Sequence, residues 1–266
     1  MDVMRDFAAP LPLLVIAQMM GVPPEDRPYI KDLASKLLAN GGEGPDRVKA
    51  TAEGQIKMRE YLVPLVEDRL VNPTDDLLSV VVSGEKSGIY NREETLAAAV
   101  LLLVAGHVTS LNLLCNGTLA FIRNPDQWQL LQADPEGMKQ KATEECLRYD
   151  PPVKGIQRTA TQDVEIGGKI IREGDSTRCM ITSANRDPEV FSEPDRFDIT
   201  RWPNPHVGFG SGVHHCLGVN LARMEGQEGF KSLAERYPSL HIETEDLEYA
   251  PTLGFRSLVS LPVSWK

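Results

Sequence analysis

The segment from Arg92 to Arg123 constrains this chain more than any other. Its spacing reads as one continuous helix of about nine turns at 3.6 residues per turn. The stretch LAAAVLLLVA (96–105) is apolar on every side, which a helix tolerates only in the middle of a protein. Ten strictly apolar residues are too few to span a bilayer, so no membrane segment is expected. FAAPLPLLVIAQMM near the start lacks a secretory leader's cues, since two prolines interrupt it and acids precede it. A cytoplasmic location is the default expectation.

Helix dominates up to residue 150. IAQMMG (16–21) stops at Gly21, and VPPEDRP opens a new segment with proline and acids at its start. Helical spacing fills 25–39 and 46–71, separated by a turn NGGEG at 40–44. Thr74 is an N-cap candidate for a helix stopped by Gly84, and GMKQKATEECLRY (137–149) is stopped by Asp150-Pro151-Pro152. Beyond that the character changes. Residues 153–182 alternate in short runs around Gly-Gly and Glu-Gly-Asp, which predicts hairpins. Residues 184–215 carry little periodicity, and long irregular segments in compact proteins usually serve function. Helix resumes over 217–237. With no repeats and no low-complexity linker, the expected fold is mainly α with a minor β part, organised as a single domain over 1–266.

A formal net charge of −10, from 28 basic and 38 acidic residues, argues against nucleic acid or an anionic membrane as partner. Cys115, Cys146, Cys179 and Cys216 form no CxxC pair, and free thiols are the expected state for most of them.

Residues 206–218, HVGFGSGVHHCLG, hold three histidines and a cysteine. A zinc site would need four spaced ligands, whereas His214, His215 and Cys216 are adjacent and their side chains diverge. A single cysteine ligand accounts better for Gly210, Gly212 and Gly218, which allow a tight backbone path before a helix beginning near Leu217. A helix N-terminus there favours a thiolate, and neighbouring N–H groups tune its donation to a metal. The competing reading is an inert buried cysteine.

Phe209-x-x-Gly212-x-x-x-Cys216-x-Gly218 resembles the haem-binding signature of the cytochrome P-450 family. Three further stretches occur in that family's order. Glu145-Cys-Leu-Arg148 resembles its ExxR, Pro194-Asp-Arg196-Phe197 its PxRF segment, and Ala105-Gly106 through Thr109-Ser110 its oxygen-binding helix. SANRDPEVFSEPDRFD is close to the bacterial class I type, and the resemblance covers the whole chain. It implies haem as cofactor, Cys216 as proximal thiolate ligand of its iron, and Phe209 packed beside the sulfur. Arg158 and His214 match positions that hold haem propionates; His215 has no such match, and His206 is expected to be structural. Glu145, Arg148 and Arg196 would form a buried triad locking the segment that carries the cysteine loop, although an i,i+3 pair alone reads as an exposed surface pair.

Gly106 sits mid-helix, where it costs roughly 1 kcal/mol relative to alanine. It reads either as a close helix crossing or, by the resemblance, as a local opening where dioxygen sits and the Thr109 hydroxyl bonds it. The family usually places an acid just before this threonine, where this chain has Val108, which cannot relay a proton. Water or the adjacent His107 would have to substitute. MRDFAAPLPLLVIAQMMGVPPEDRP resembles a stretch well inside the family's chain, so the usual first third has no counterpart here. That is the pattern of an N-terminally truncated form, whether natural, a fragment or a mis-assigned start. A helix without those neighbours exposes apolar surface, which predicts dimerisation through the uncovered face or weak haem retention. The resemblance implies a monooxygenase inserting one oxygen atom into a small apolar substrate, with electrons from a ferredoxin or flavin reductase. A peroxide-dependent enzyme and a non-enzymatic haem-binding remnant are the alternatives.

Overall fold

The computed structural model describes residues 1–39, 45–252 and 254–265, with side chains between 34 and 51 left aside, so the turn expected at 40–44 lies outside the described residues. In chain order the helices are α1 (Pro10–Met19), α2 (Arg27–Ala39), α3 (Pro45–Val71), α4 (Leu77–Lys86), α5 (Arg92–Arg123), α6 (Pro125–Ala133), α7 (Pro135–Tyr149), α8 (Ile181–Ala184) and α9 (Val219–Arg236). The strands are β1 (Gly155–Thr159), β2 (Val164–Ile166), β3 (Lys169–Ile171), β4 (Ser176–Met180), β5 (Leu240–Ile242) and β6 (Val263–Trp265). The expected mainly α architecture with a minor β part is what forms. The chain divides into two compact units, the first Met1–Leu111 with 247–251 and 259–262, the second holding the remainder.

In the first unit, α1 ends where Gly21 takes φ +70°. The Val22 N–H reaches the Ala17 carbonyl at 2.9 Å and the Gly21 N–H the Gln18 carbonyl at 3.0 Å, the paired bonds of a Schellman stop. The cap of α4 is Asp76 rather than Thr74: its carboxylate accepts the Ser79 N–H at 2.7 Å, while Thr74 donates its hydroxyl to the same carboxylate at 2.6 Å. An ionised carboxylate is the stronger cap, and it also receives Arg69 Nε at 2.7 Å. Gly84 does not stop this helix, which runs on to Lys86.

Helix α5 forms over the span its sequence predicts, and by length and composition it would pass for a membrane span. Buried Thr95, His107, Ser110, Asn112 and Asn116 along it mark it as a helix of protein core. Its first half is not enclosed on every side, as LAAAVLLLVA suggested. Ala97, Leu101 and Ala105 are exposed, Leu101 at 65%. These positions recur every four residues and form one stripe, while Leu96, Ala99 and Leu103 face the core of the unit. Opposite the stripe, His107 donates from Nε2 to the Ala9 carbonyl at 3.0 Å. Burial pushes its pKa down to about 4, against a smaller upward effect of that hydrogen bond.

In the second unit, α7 packs along α9. Phe121 touches Trp128, Phe197 and Phe230 with ring centroids 5.2–5.5 Å apart. A Cβ on Gly117 would lie 2.3 Å from the Phe230 ring, so this glycine makes room for the cluster. The segment 153–182 forms two nested hairpins, β1 with β4 outside and β2 with β3 inside.

The irregular stretch 185–206 is held by a buried ion pair. Glu145 and Arg148, both with 0% exposed side chains, meet in a two-pronged contact, Nε to Oε2 and Nη2 to Oε1, each at 2.8 Å. Arg148 also donates to the carbonyls of Asn185 (3.0 Å), Pro194 (2.7 Å) and Arg196 (2.9 Å). Glu145 accepts from the Asp198 N–H at 2.8 Å and Asn204 Nδ2 at 3.0 Å. The third member of the triad is Arg201, whose Nε lies 3.4 Å from Glu145, and not Arg196. Arg196 offers only its backbone carbonyl, and its guanidinium sits outside with Glu193.

Two measurements check this fold. Replacing Arg148 by Met leaves buried Glu145 with only the more distant Arg201 as counter-charge, and a loss of about 3–5 kcal/mol is expected in urea unfolding. His107 takes up its proton more readily unfolded, near 6.5, than folded, near 4. Its contribution is therefore full above about pH 6.5 and is lost as pH falls toward 4. In His107→Gln the slope of unfolding free energy against pH across that window should shrink by about one proton.

Candidate functional site

The loop carrying Cys216 is tied to this cage through Asn185. That amide, 0% exposed, donates to the Leu147 carbonyl at the end of α7 (3.2 Å) and accepts the Val207 N–H (2.9 Å). Next, the Gly210 N–H reaches the Val207 carbonyl (2.9 Å), the Cys216 N–H the Phe209 carbonyl (3.0 Å) and the His215 N–H the Gly212 carbonyl (3.0 Å). Gly210 and Gly212 adopt φ +70° and +71°, which residues with a Cβ avoid. Gly218 does not need its glycine for conformation, since its φ is −86°. It is the N-cap of α9, which begins at Val219 rather than near Leu217 and leaves Cys216 two residues ahead of the cap.

Phe209 is stiffened from one side. The Arg223 guanidinium lies 5.0 Å from its ring centroid, and the His206 ring is 6.0 Å away. Both bases bind Glu144, Arg223 through Nε (2.7 Å) and Nη2 (2.8 Å), His206 through Nε2 (3.1 Å). Because His206 Nδ1 accepts the Gly208 N–H at 3.1 Å, the ring proton belongs on Nε2. Burial raises the Glu144 pKa, but the hydrogen bonds from His206 and Arg223 outweigh it and bring the group down to about 2. His206 is thus structural. Glu144, Arg223 and Asn185 escaped the sequence reading: only fold contacts separated by tens of residues reveal what they touch.

Two large apolar side chains stand exposed on either side of the cysteine in the chain. Val213 is 98% and Leu217 87% exposed, and a Cβ on Gly212 or Gly218 would meet no atom within 4 Å. Cys216 itself is half-buried, whereas Cys146 is sealed in the core, where burial drives its thiol pKa well up. A softly donating sulfur amid apolar side chains, with open space above two glycines, fits a flat, largely apolar macrocycle whose metal takes one thiolate. His214 and His215 are exposed beside it. A Cβ on Gly210 would touch Ile156 Cδ1 at 3.5 Å, so β1 runs against the loop. Arg158, two residues along, shares that face of the strand, with its Nη1 on the Gln157 carbonyl at 2.9 Å.

In the first unit, α5 runs unbroken through Gly106, in place of the expected opening. Of the two readings of this glycine, the close crossing is the one formed: a Cβ there would lie 3.0 Å from Ile16 Cγ1. The Thr109 hydroxyl donates to the Ala105 carbonyl at 3.0 Å, a bond within the helix. Val108 is buried, and His107 is engaged with Ala9.

The sequence model of the family described as Cytochrome P450 matches residues 138–252. The biotin biosynthesis cytochrome P450 of Bacillus subtilis is 40% identical over 269 residues, covering 100% of this chain and 68% of that protein. The nocardicin C N-oxygenase of Nocardia uniformis is 36% identical, over 99% of this chain and 66% of its own length. Among solved structures, P450BioI in complex with an acyl carrier protein ligated to hexadec-9Z-enoic acid superposes with a TM-score of 0.92 at 38% identity, over 100% of this chain and 68% of that one. The chain thus spans about two thirds of the length of the relatives it matches. Motif, loop geometry and relationship agree, and the chain belongs to the cytochrome P450 family.

Proposed function

We propose that the chain acts as a single haem-binding domain of a monooxygenase that transfers one oxygen atom from O2 to a small apolar molecule, with electrons from a ferredoxin or flavin protein. The observation that carries this reading is the Cys216 loop: one half-buried thiol set among exposed apolar side chains. Haem, when bound, supplies the redox chemistry. Cys216 would hold its iron through the thiolate, with Phe209 packed alongside and Gly212 and Gly218 giving clearance. Arg158 and His214 would meet the carboxylates on its rim. The Glu144–Arg223–His206 cluster keeps Phe209 from moving away, and the Glu145–Arg148 cage fixes where the loop begins.

An apolar substrate is supported by the cleft between α3 and α5, about 510 Å³ in volume and lined by Ile56, Leu96, Val100, Leu101 and Val104. Exposed side chains of this kind also favour association of two copies. A net charge of −10 supports action on neither nucleic acid nor an anionic membrane surface, in keeping with a cytoplasmic protein.

A peroxide-driven reaction is the second reading, and the chain around Thr109 favours it. Thr109 offers a hydroxyl, yet Val108 can neither hold nor pass a proton. His107, neutral at physiological pH, keeps its Nε2 proton on Ala9. Proton delivery then falls to Thr109 and solvent, whereas a peroxide brings its own protons.

The reduced, CO-treated protein should show the red-shifted Soret band of thiolate ligation, and Cys216→Ser should abolish it. A histidine-type spectrum in the parent protein would overturn the assignment. Val108→Asp should raise turnover with O2 and reductase by roughly 10²-fold, the scale of positioned proton transfer, while peroxide-driven turnover changes little.

A further inference from the structure

A cleft wholly within the second unit takes no part in the chemistry assigned to Cys216. It lies where the last turns of α5, the end of α7 and the segment around Arg256 meet, and its volume is about 380 Å³. Ligand pockets start at roughly that size. Its walls hold Arg123, Lys154, Arg186 and Arg256 against a single carboxylate, Asp150. That is a cationic site in a chain whose net charge is −10.

The carboxylate does not cancel the cations. Asp150 pairs with Arg256, Nε to Oδ1 at 2.7 Å. Lys154 donates from Nζ to the neutral Thr252 carbonyl at 2.9 Å. Arg186 stacks over the Tyr149 ring at 4.5 Å, gives Nη2 to the Tyr149 carbonyl at 2.9 Å and turns Nη1 outward to the exposed Asp195. Arg123 reaches Glu245 only at 3.6 Å, with both side chains largely in solvent. The cleft keeps an excess of positive charge that an anion would neutralise.

A second observation narrows the anion. Asn116, 2% exposed, lines the cleft from α5. Its Nδ2 donates to the carbonyls of Arg256 (3.0 Å) and Asp150 (3.4 Å), which fixes the amide's orientation. Its Oδ1 is buried with no hydrogen-bond partner. A buried acceptor left unpaired is costly and calls for a donor. The cations ask for negative charge, and the amide oxygen asks for a hydrogen. One class of molecule brings both: an oxyanion that carries its own hydroxyl. We propose that this cleft binds a small hydroxylated oxyanion, held by Lys154 and Arg186 and read through its O–H by Asn116.

Inorganic phosphate and sulfate make a matched pair of probes, because they share shape and negative charge but only phosphate carries an O–H at neutral pH. Calorimetric titration of the full chain at pH 7 and fixed ionic strength should give saturable one-to-one binding of phosphate. Sulfate should bind about two- to tenfold more weakly, the scale of one neutral hydrogen bond. Lys154→Gln and Arg186→Gln should each weaken phosphate by about tenfold or more, while Lys154→Arg retains it and Lys139→Gln, outside the cleft, leaves it unchanged. Circular-dichroism melts of each variant establish that it is folded. Absence of saturable phosphate binding overturns the proposal, as does full binding by a folded Lys154→Gln. Equal affinity for phosphate and sulfate overturns the part given to Asn116.

Discussion

Glu145 and Arg148 are one helical turn apart, and neither touches solvent. Taking two charges out of water is expensive, and their mutual attraction offsets the cost only when the remaining hydrogen-bonding positions are also filled. Here three backbone carbonyls, one backbone N–H and the Asn204 amide fill them, and all come from the irregular stretch 185–204. The dependence is mutual. The pair is tolerable in the core because the irregular segment surrounds it, and that segment, with few periodic bonds of its own, has a fixed path because the pair organises it. Everything downstream inherits that path, from Asn185 and Val207 to the two left-handed glycines and Cys216.

Much of this was legible from residue order. The length of α5 and the hairpins of 153–182 follow from periodicity and turn chemistry, which are local properties. The misses share a different character. Arg201 rather than Arg196 completes the triad because a motif records which residues stand nearby in sequence, not which way the backbone turns their side chains. Asp76 displaced Thr74 as a cap because Arg69, from another helix, rewards a carboxylate there. Gly106 owes its place to Ile16, ninety residues earlier. Pairings over such distances are set by packing, and a pattern of residues along the chain does not encode them directly.

The exposed stripe of α5 belongs to the same class. Helical spacing correctly separates two faces, but apolar character alone does not say which is covered. Ala97, Leu101 and Ala105 read as core by composition and stand in solvent by placement.

The Thr109 hydroxyl has one proton and two lone pairs. Its proton is committed to the Ala105 carbonyl, so the oxygen presents itself to any visitor purely as an acceptor. To donate, it must first rotate away from that carbonyl, which keeps its helical bond from the Thr109 N–H. If Thr109 serves the proposed chemistry, a guest that arrives with a hydrogen, as hydrogen peroxide does, would be met at once, and bare dioxygen only after the rotor has turned. On that proposal, a conformational step of a single bond would stand between this side chain and one of its two candidate oxidants, and not the other.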